Sequence, residues 1–130
     1  MSLVYCGIRV TDADRSVRFY TEALGLKEIS RGHMSQGGLF IELQDPNTMQ
    51  QLELNWYPAG SPYDTAYSVG EGLDHLGFEV DDARETYRRL LRLGASPAVE
   101  PWLEQNRYWI AFVRDPDGIW IELQSPVEKP

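Results

Sequence analysis

A single cysteine, Cys6, in a chain of 130 residues excludes an intrachain disulfide and a thiolate cluster for structural zinc. Cys6 itself reads as a small buried apolar residue rather than a nucleophile. Cationic side chains are scarce too: 12 Lys and Arg stand against 20 Asp and Glu, for a formal net charge of −8. That balance opposes contact with phosphate backbones and anionic lipid heads, so neither nucleic acid nor a membrane surface is expected as a partner. No apolar run approaches the roughly 20 residues of a spanning helix, and no basic segment leads into an apolar one at the N-terminus. A soluble, cytoplasmic protein is expected. The length suits one well-buried domain, or two half-domains sharing a core.

What the chain does contain is an internal repeat. Ile8-Arg9-Val10-Thr11-Asp12 resembles Phe78-Glu79-Val80-Asp81-Asp82 at an offset of 70, and Asp45-Pro46 matches Asp115-Pro116 at the same offset. Leu52-Glu53-Leu54 and Ile121-Glu122-Leu123 are offset by 69. The lost residue belongs in the hairpin loop between the two matches, where a deletion is easiest to absorb.

Each half reads in the same order. Alternating runs at Val4 to Val10 and Leu73 to Val80 have the period of strands. The first helix opens on Thr11 and Asp12, carries Val17, Phe19, Tyr20 and Leu24 on its apolar stripe, and stops at Gly25. The second opens on Asp81 and Asp82, carries Tyr87, Leu90, Leu91 and Leu93, and stops at Gly94. Three more strands complete the first module, around Leu26 to Arg31, Gly38 to Leu43 and Gln51 to Trp56. In the second, Pro97 and Pro101 make the region of Ala98 and Val99 an edge or partly irregular strand, ahead of Tyr108 to Arg114 and Ile119 to Gln124. The expectation is one α+β domain over 1–130: module one about 1–57, an aperiodic linker about 58–72, module two about 73–126.

Side chains alternate across a strand, so Tyr5, Gly7 and Arg9 share one face, and Cys6, Ile8 and Val10 the other. His75, Gly77 and Glu79 likewise oppose Leu76, Phe78 and Val80, while Glu53 with Asn55, and Glu122 with Gln124, oppose apolar neighbours. Through the repeat Tyr5 corresponds to His75, and Glu53 to Glu122. A pseudo-twofold axis relating the modules would converge four oxygen or nitrogen donors, an arrangement that suits a divalent metal. Taken singly, each glutamate reads equally well as an ordinary polar residue on a wet sheet face.

Ile8-Arg9-Val10 with Asp12, then Ser16, Phe19-Tyr20 and Leu24-Gly25-Leu26, resembles the opening of glyoxalase I and its relatives in the vicinal-oxygen-chelate superfamily. Gly72-Leu73-Asp74-His75-Leu76-Gly77, and Asp115-Pro116-Asp117-Gly118 through Ile121-Glu122-Leu123, resemble second-module motifs of the same family. The resemblance implies two βαβββ modules forming a curved, mostly antiparallel half-barrel sheet with flanking helices. It implies one divalent metal ion (zinc, nickel, manganese or ferrous iron) held by Tyr5, Glu53, His75 and Glu122. It also implies a homodimer and a glyoxalase-I-like lyase or isomerase acting on a small oxygenated substrate, a glutathione hemithioacetal being one candidate.

Tyr5 stands where the bacterial pattern has histidine. A phenol ordinarily ionises at about pH 10, so Tyr5 ligates only if the metal lowers that value; otherwise it hydrogen-bonds water or substrate, or packs at a sheet edge. By position Glu122 is the catalytic base and Glu53 its near-symmetric counterpart, while Arg9, Asn55 and Arg107 are the candidate substrate contacts. The family's basic loop is replaced here by Glu100 to Arg107, whose Trp102, with Tyr57, Tyr63 and Tyr67, suits a pocket for a less charged substrate as well as a core or a dimer interface. One histidine with two carboxylates argues against ring-cleaving dioxygenases, which favour two histidines and one carboxylate. His33 has no partner in the repeat and reads as a surface or loop residue. The same fold also hosts epimerases and non-catalytic binding or resistance proteins.

Overall fold

The computed structural model describes residues 4–34, 37–70, 73 and 75–128. The chain divides into two compact units, Met1–Tyr67 and Ser68–Pro130, and the division falls within the segment expected to be the linker.

In the first unit β1 (Cys6–Arg9) leads into α1 (Ala13–Arg18), which continues as a π-helical turn over Phe19–Ala23. Then follow β2 (Lys27–His33), β3 (Leu39–Gln44) and β4 (Gln51–Trp56). The four strands form one open sheet in the order β1-β4-β3-β2, parallel between β1 and β4 and otherwise antiparallel. The second unit repeats this with β5 (Leu76–Glu79), α2 (Ala83–Arg92), β6 (Ser96–Glu104), β7 (Tyr108–Arg114) and β8 (Trp120–Pro126), in the order β5-β8-β7-β6. These are the two βαβββ modules of the expected α+β class, each an open, mixed, four-stranded sheet.

The duplication extends to single hydrogen bonds. Val10 donates its N–H to the Asn55 carbonyl and Val80 to that of Gln124, both at 2.9 Å, so each first strand is pinned to its last strand before the chain turns into a helix. Asp12 and Asp82 are the N-caps. Asp12 accepts from Arg15 N, and Asp82 from Arg84 N and Glu85 N, supplying acceptors for donors that a helix leaves orphaned. The α2 N-terminus has a further acceptor that the sequence did not announce: Ser125, 2% exposed, receives Ala83 N–H on its Oγ at 2.9 Å. Gly25 and Gly94 sit at φ +78° and +108°, in the left-handed region that ends each helix.

The Asp-Pro hairpins locate the lost residue. Asp45 N–H reaches the carbonyl of Gln50, whereas Asp115 N–H reaches that of Ile119, one residue sooner. The longer loop carries Met49 at φ +64°; the shorter one uses Gly118 at +91°.

Apolar faces pack as the alternation requires, with Ile8, Val10, Ile41, Leu43 and Leu54 buried in the first unit and Leu90, Val113, Ile121 and Leu123 in the second. Two local expectations are corrected. Cys6 is exposed, because it opens an edge strand ahead of the stretch that Phe19 and Tyr20 accompany in the core. Leu93 is 44% exposed, since α2 has already ended at Arg92. His33 is an exposed surface residue, as expected, at the end of β2 where it pairs with Leu39. The strand with two prolines is an edge, and its ladder slips between Pro97 and Val99 and again between Val99 and Trp102, where proline offers no N–H.

Candidate functional site

In the second unit, β5 and β8 run parallel with Gly77 beside Glu122. His75, just before β5, thereby comes alongside Glu122, with Nε2 2.9 Å from Oε2. The pair is partly shielded from solvent, the two side chains being 34% and 22% exposed. Across the β7–β8 ladder Phe112 lies opposite Glu122, and its ring meets the His75 imidazole edge-on at 5.4 Å. Trp102 stacks on Phe112 from β6 at 6.0 Å, and Trp120, two residues before Glu122 on the same face, approaches Phe112 at 5.6 Å.

The first unit presents the matching face with different chemistry. Gly7 pairs with Glu53 and Arg9 with Asn55. A Cβ on Gly7 would stand 3.0 Å from Asn55 Nδ2 and 3.9 Å from Tyr5 Cε2, so the missing side chain gives room for both to lie over β1. Glu42 faces Glu53 directly across β3 and β4. Burial pushes the Glu53 carboxyl above the ordinary carboxylate range, the facing charge of Glu42 adds to the rise, and a hydrogen bond from the Asn55 side chain opposes it.

Two like charges directly opposite in a sheet cost stability unless a cation lies between them. Since the folded value of Glu53 lies above its unfolded one, the ionised pair opposes folding at neutral pH, and this cost disappears as the pH falls and Glu53 takes up a proton. Glu42→Gln is therefore expected to stabilise the metal-free protein at pH 7 by about 0.2–1 kcal/mol, the range for a cross-strand charge pair. The gain should shrink in urea titrations repeated at acidic pH.

The model of the Glyoxalase/Bleomycin resistance protein/Dioxygenase superfamily matches residues 2–123. The chain belongs to this superfamily. The lactoylglutathione lyase of Neisseria meningitidis serogroup A is 34% identical over 129 residues, covering 94% of this chain and 88% of that one. The probable chloroplastic lactoylglutathione lyase of Arabidopsis thaliana is 30% identical over 128 residues, and this chain spans 35% of its length. Among solved structures, the trypanothione-dependent glyoxalase I of Leishmania major superposes with a TM-score of 0.76 at 28% identity, over 96% of this chain and 86% of that one.

Against this superfamily background, the structure brings His75 to Glu122 within one unit, and Glu53 to Asn55 near Tyr5 within the other. Among the described residues no group of three or more His, Cys, Asp or Glu side chains is placed to hold a metal ion. The second-unit pair is in ion-pair contact at 2.9 Å, and imidazole and carboxylate are both ligand types for divalent ions.

Arg9 and Arg107 are placed differently. Arg9 donates through Nη1 to the Thr65 carbonyl at 2.6 Å and through Nη2 to Asp64 at 2.9 Å, fastening the end of the first unit to β1. Arg107 is exposed in the β6–β7 turn, where it contributes with Tyr108, Pro126 and Val127 to an open cavity of about 340 Å³. Its neighbour Pro126 lies four residues beyond Glu122, about 13 Å along an extended strand. Of the three candidate substrate contacts, Asn55 is the one whose side chain hydrogen-bonds Glu53. Sequence reasoning missed Glu42 and the contacts of Phe112 with Trp102 and Trp120. Glu42 was countable, since Gln44 pairs with Gln51 at the hairpin and two residues back gives Glu42 opposite Glu53.

Proposed function

We propose that this chain is a metal-dependent lyase or isomerase of glyoxalase I type that moves a proton between adjacent carbons of a small oxygenated substrate. The observation that carries this reading is the 2.9 Å approach of His75 Nε2 to Glu122 Oε2, two residues whose counterparts in the repeat are Tyr5 and Glu53. The relatives named lactoylglutathione lyase support it. Glu53, His75 and Glu122 would hold one divalent ion, zinc, nickel, manganese or ferrous iron, with Tyr5 at the fourth position. A bound ion there supplies Lewis acidity toward two adjacent substrate oxygens.

The chain's own groups do the rest. Glu122 takes the carbon-bound proton at a carboxylate oxygen and returns it to the neighbouring carbon. Phe112 limits the ring of His75 from the side. Glu53, raised in basicity by burial and Glu42 and steadied by Asn55, is the counterpart base. Two chains in a homodimer would complete the donor set, each supplying Tyr5 and Glu53 to one centre and His75 and Glu122 to the other. Arg9 and Arg107 remain the candidate contacts for charged substrate groups.

A second reading, non-catalytic binding of a small molecule, is favoured by the Trp102, Phe112 and Trp120 rings, which offer a binding surface without any chemistry. Turnover separates the two. Hemithioacetals of 2-oxoaldehydes should be isomerised by protein supplied with each of the four ions, and chelation should abolish the activity reversibly. Ligand binding that survives chelation, with no turnover under any ion, would select the binder.

A further inference from the structure

The guanidinium on the polar face of the first unit is held by a carboxylate of the same chain. Arg9 pairs with Asn55 across β1 and β4, two residues along from the pairing of Gly7 with Glu53 and on the same face. The repeat puts Glu79 at the equivalent place, beside Gln124 as Arg9 is beside Asn55, so the fold itself does not call for a cation here. Arg9 Nη2 meets Asp64 Oδ1 at 2.9 Å, and Nη1 reaches the Thr65 carbonyl at 2.6 Å and its Oγ1 at 3.3 Å. The guanidinium also lies over the Tyr57 ring, 5.7 Å from its centre.

The strap that delivers Asp64 is itself organised. Ser61 N–H donates to the Pro58 carbonyl, Asp64 N–H to that of Ser61, and Gly60 N–H to the second carboxylate oxygen of Asp64 at 3.3 Å. Asp64 is therefore presented to Arg9 by a folded turn. The two side chains are 24% and 34% exposed, so a ligand can reach them.

Guanidinium is a preferred partner for a ligand carboxylate. Here such a ligand must displace a carboxylate tethered at an effective concentration on the order of millimolar or higher. It must then sit beside Asp64, where the two like charges repel, with Glu42 and Glu53 on the same face adding to the repulsion. A neutral group meets neither penalty. Repulsion built in against one ligand class is a route to specificity for another.

We propose that Asp64 is a specificity-determining residue: by holding Arg9 it excludes substrates whose tail carries a carboxylate. The substrate class is a small compound with two adjacent oxygens and a neutral tail. The adjacent oxygens rest on the proposed metal site, whereas the hold of Asp64 on Arg9 does not.

The monohydroxamate of succinic acid and its carboxamide counterpart share the chelating oxygens and the length, and differ in tail charge. Titration calorimetry of the full metal-loaded chain with both reads the preference. In the wild type the carboxamide should bind about threefold more tightly, the scale of a partly exposed ion pair. Asp64→Asn, nearly isosteric, should reverse the order in favour of the carboxylate, and adding Arg9→Gln should remove that gain. A wild-type preference for the carboxylate, or an unchanged order in Asp64→Asn, would overturn the proposal. A second readout needs no metal: butanedione modification of Arg9 in the metal-free chain, followed by peptide mass mapping. It should run several-fold slower in the wild type than in Asp64→Asn, with succinate protecting Arg9 in the variant only. If neither chelator bound the metal-loaded chain, the metal reading would fail and the Arg9 rates would decide the role of Asp64. Equal rates, or protection by succinate in the wild type, would overturn it.

Discussion

Glu122→Gln is expected to lower kcat/KM by about three orders of magnitude while leaving the fold intact. The amide is nearly isosteric with the carboxylate and keeps a hydrogen-bonding group beside His75, but it has no basic oxygen to accept a carbon-bound proton. Positioned acid–base groups are worth roughly 10²- to 10⁴-fold. The backbone at this position is held by pairing with Gly77 on one side and Phe112 on the other, and Ile121 and Leu123 anchor it in the core, so the loss should be chemical and not structural. Steady-state kinetics beside a thermal unfolding curve would check both halves of the expectation. If a tenth of the activity survived, the base would have to be another residue, Glu53 first.

Asp115→Ala should be the most destabilising of the single changes considered, by about 2–4 kcal/mol. Asp115 is 2% exposed, and its Oδ1 accepts the N–H groups of Asp117 and Ile119, each at 2.8 Å. Alanine leaves these donors without that acceptor, one of them buried, in the turn that sets the register of β7 against β8. The repeat supplies an internal control. Asp45 accepts from Asn47 N at 2.7 Å and Thr48 N at 3.2 Å in the equivalent turn, but there water can replace the carboxylate. Asp45→Ala should therefore cost only about 0.5–1 kcal/mol. Urea unfolding of both variants, with unchanged m-values, would measure the difference, and equal costs would mean that burial is not what makes the second turn matter.

Most of the architecture could be read from the residues because period and punctuation agree at every level. Strand alternation, paired caps at Asp12 and Asp82, glycine stops at Gly25 and Gly94, and the Asp-Pro turns each occur twice. A repeated signal is hard to produce by chance. What escaped was non-local. Ser125 caps a helix 42 positions away, and no local pattern marks a strand serine for that role. The exposure of Cys6 depends on where the sheet ends, not on alternation. In the donor set, the approach of His75 to Glu122 follows from parallel pairing of β5 with β8, which the repeat implied without fixing the register. Resemblance alone nominated Arg9 as a substrate contact, and it gave no sign of the Asp64 and Thr65 that engage it.

Whether donors from the two modules hold one divalent ion can be read by elemental mass spectrometry of protein purified without chelator or nickel affinity resin, beside Glu53→Ala, His75→Ala and Glu122→Ala. The expected result is about one metal per chain in the wild type and a marked loss in all three variants, since each removes one of three or four ligands. A wild-type protein that stayed empty after incubation with zinc, nickel, manganese and ferrous iron would mean that these residues hold no metal.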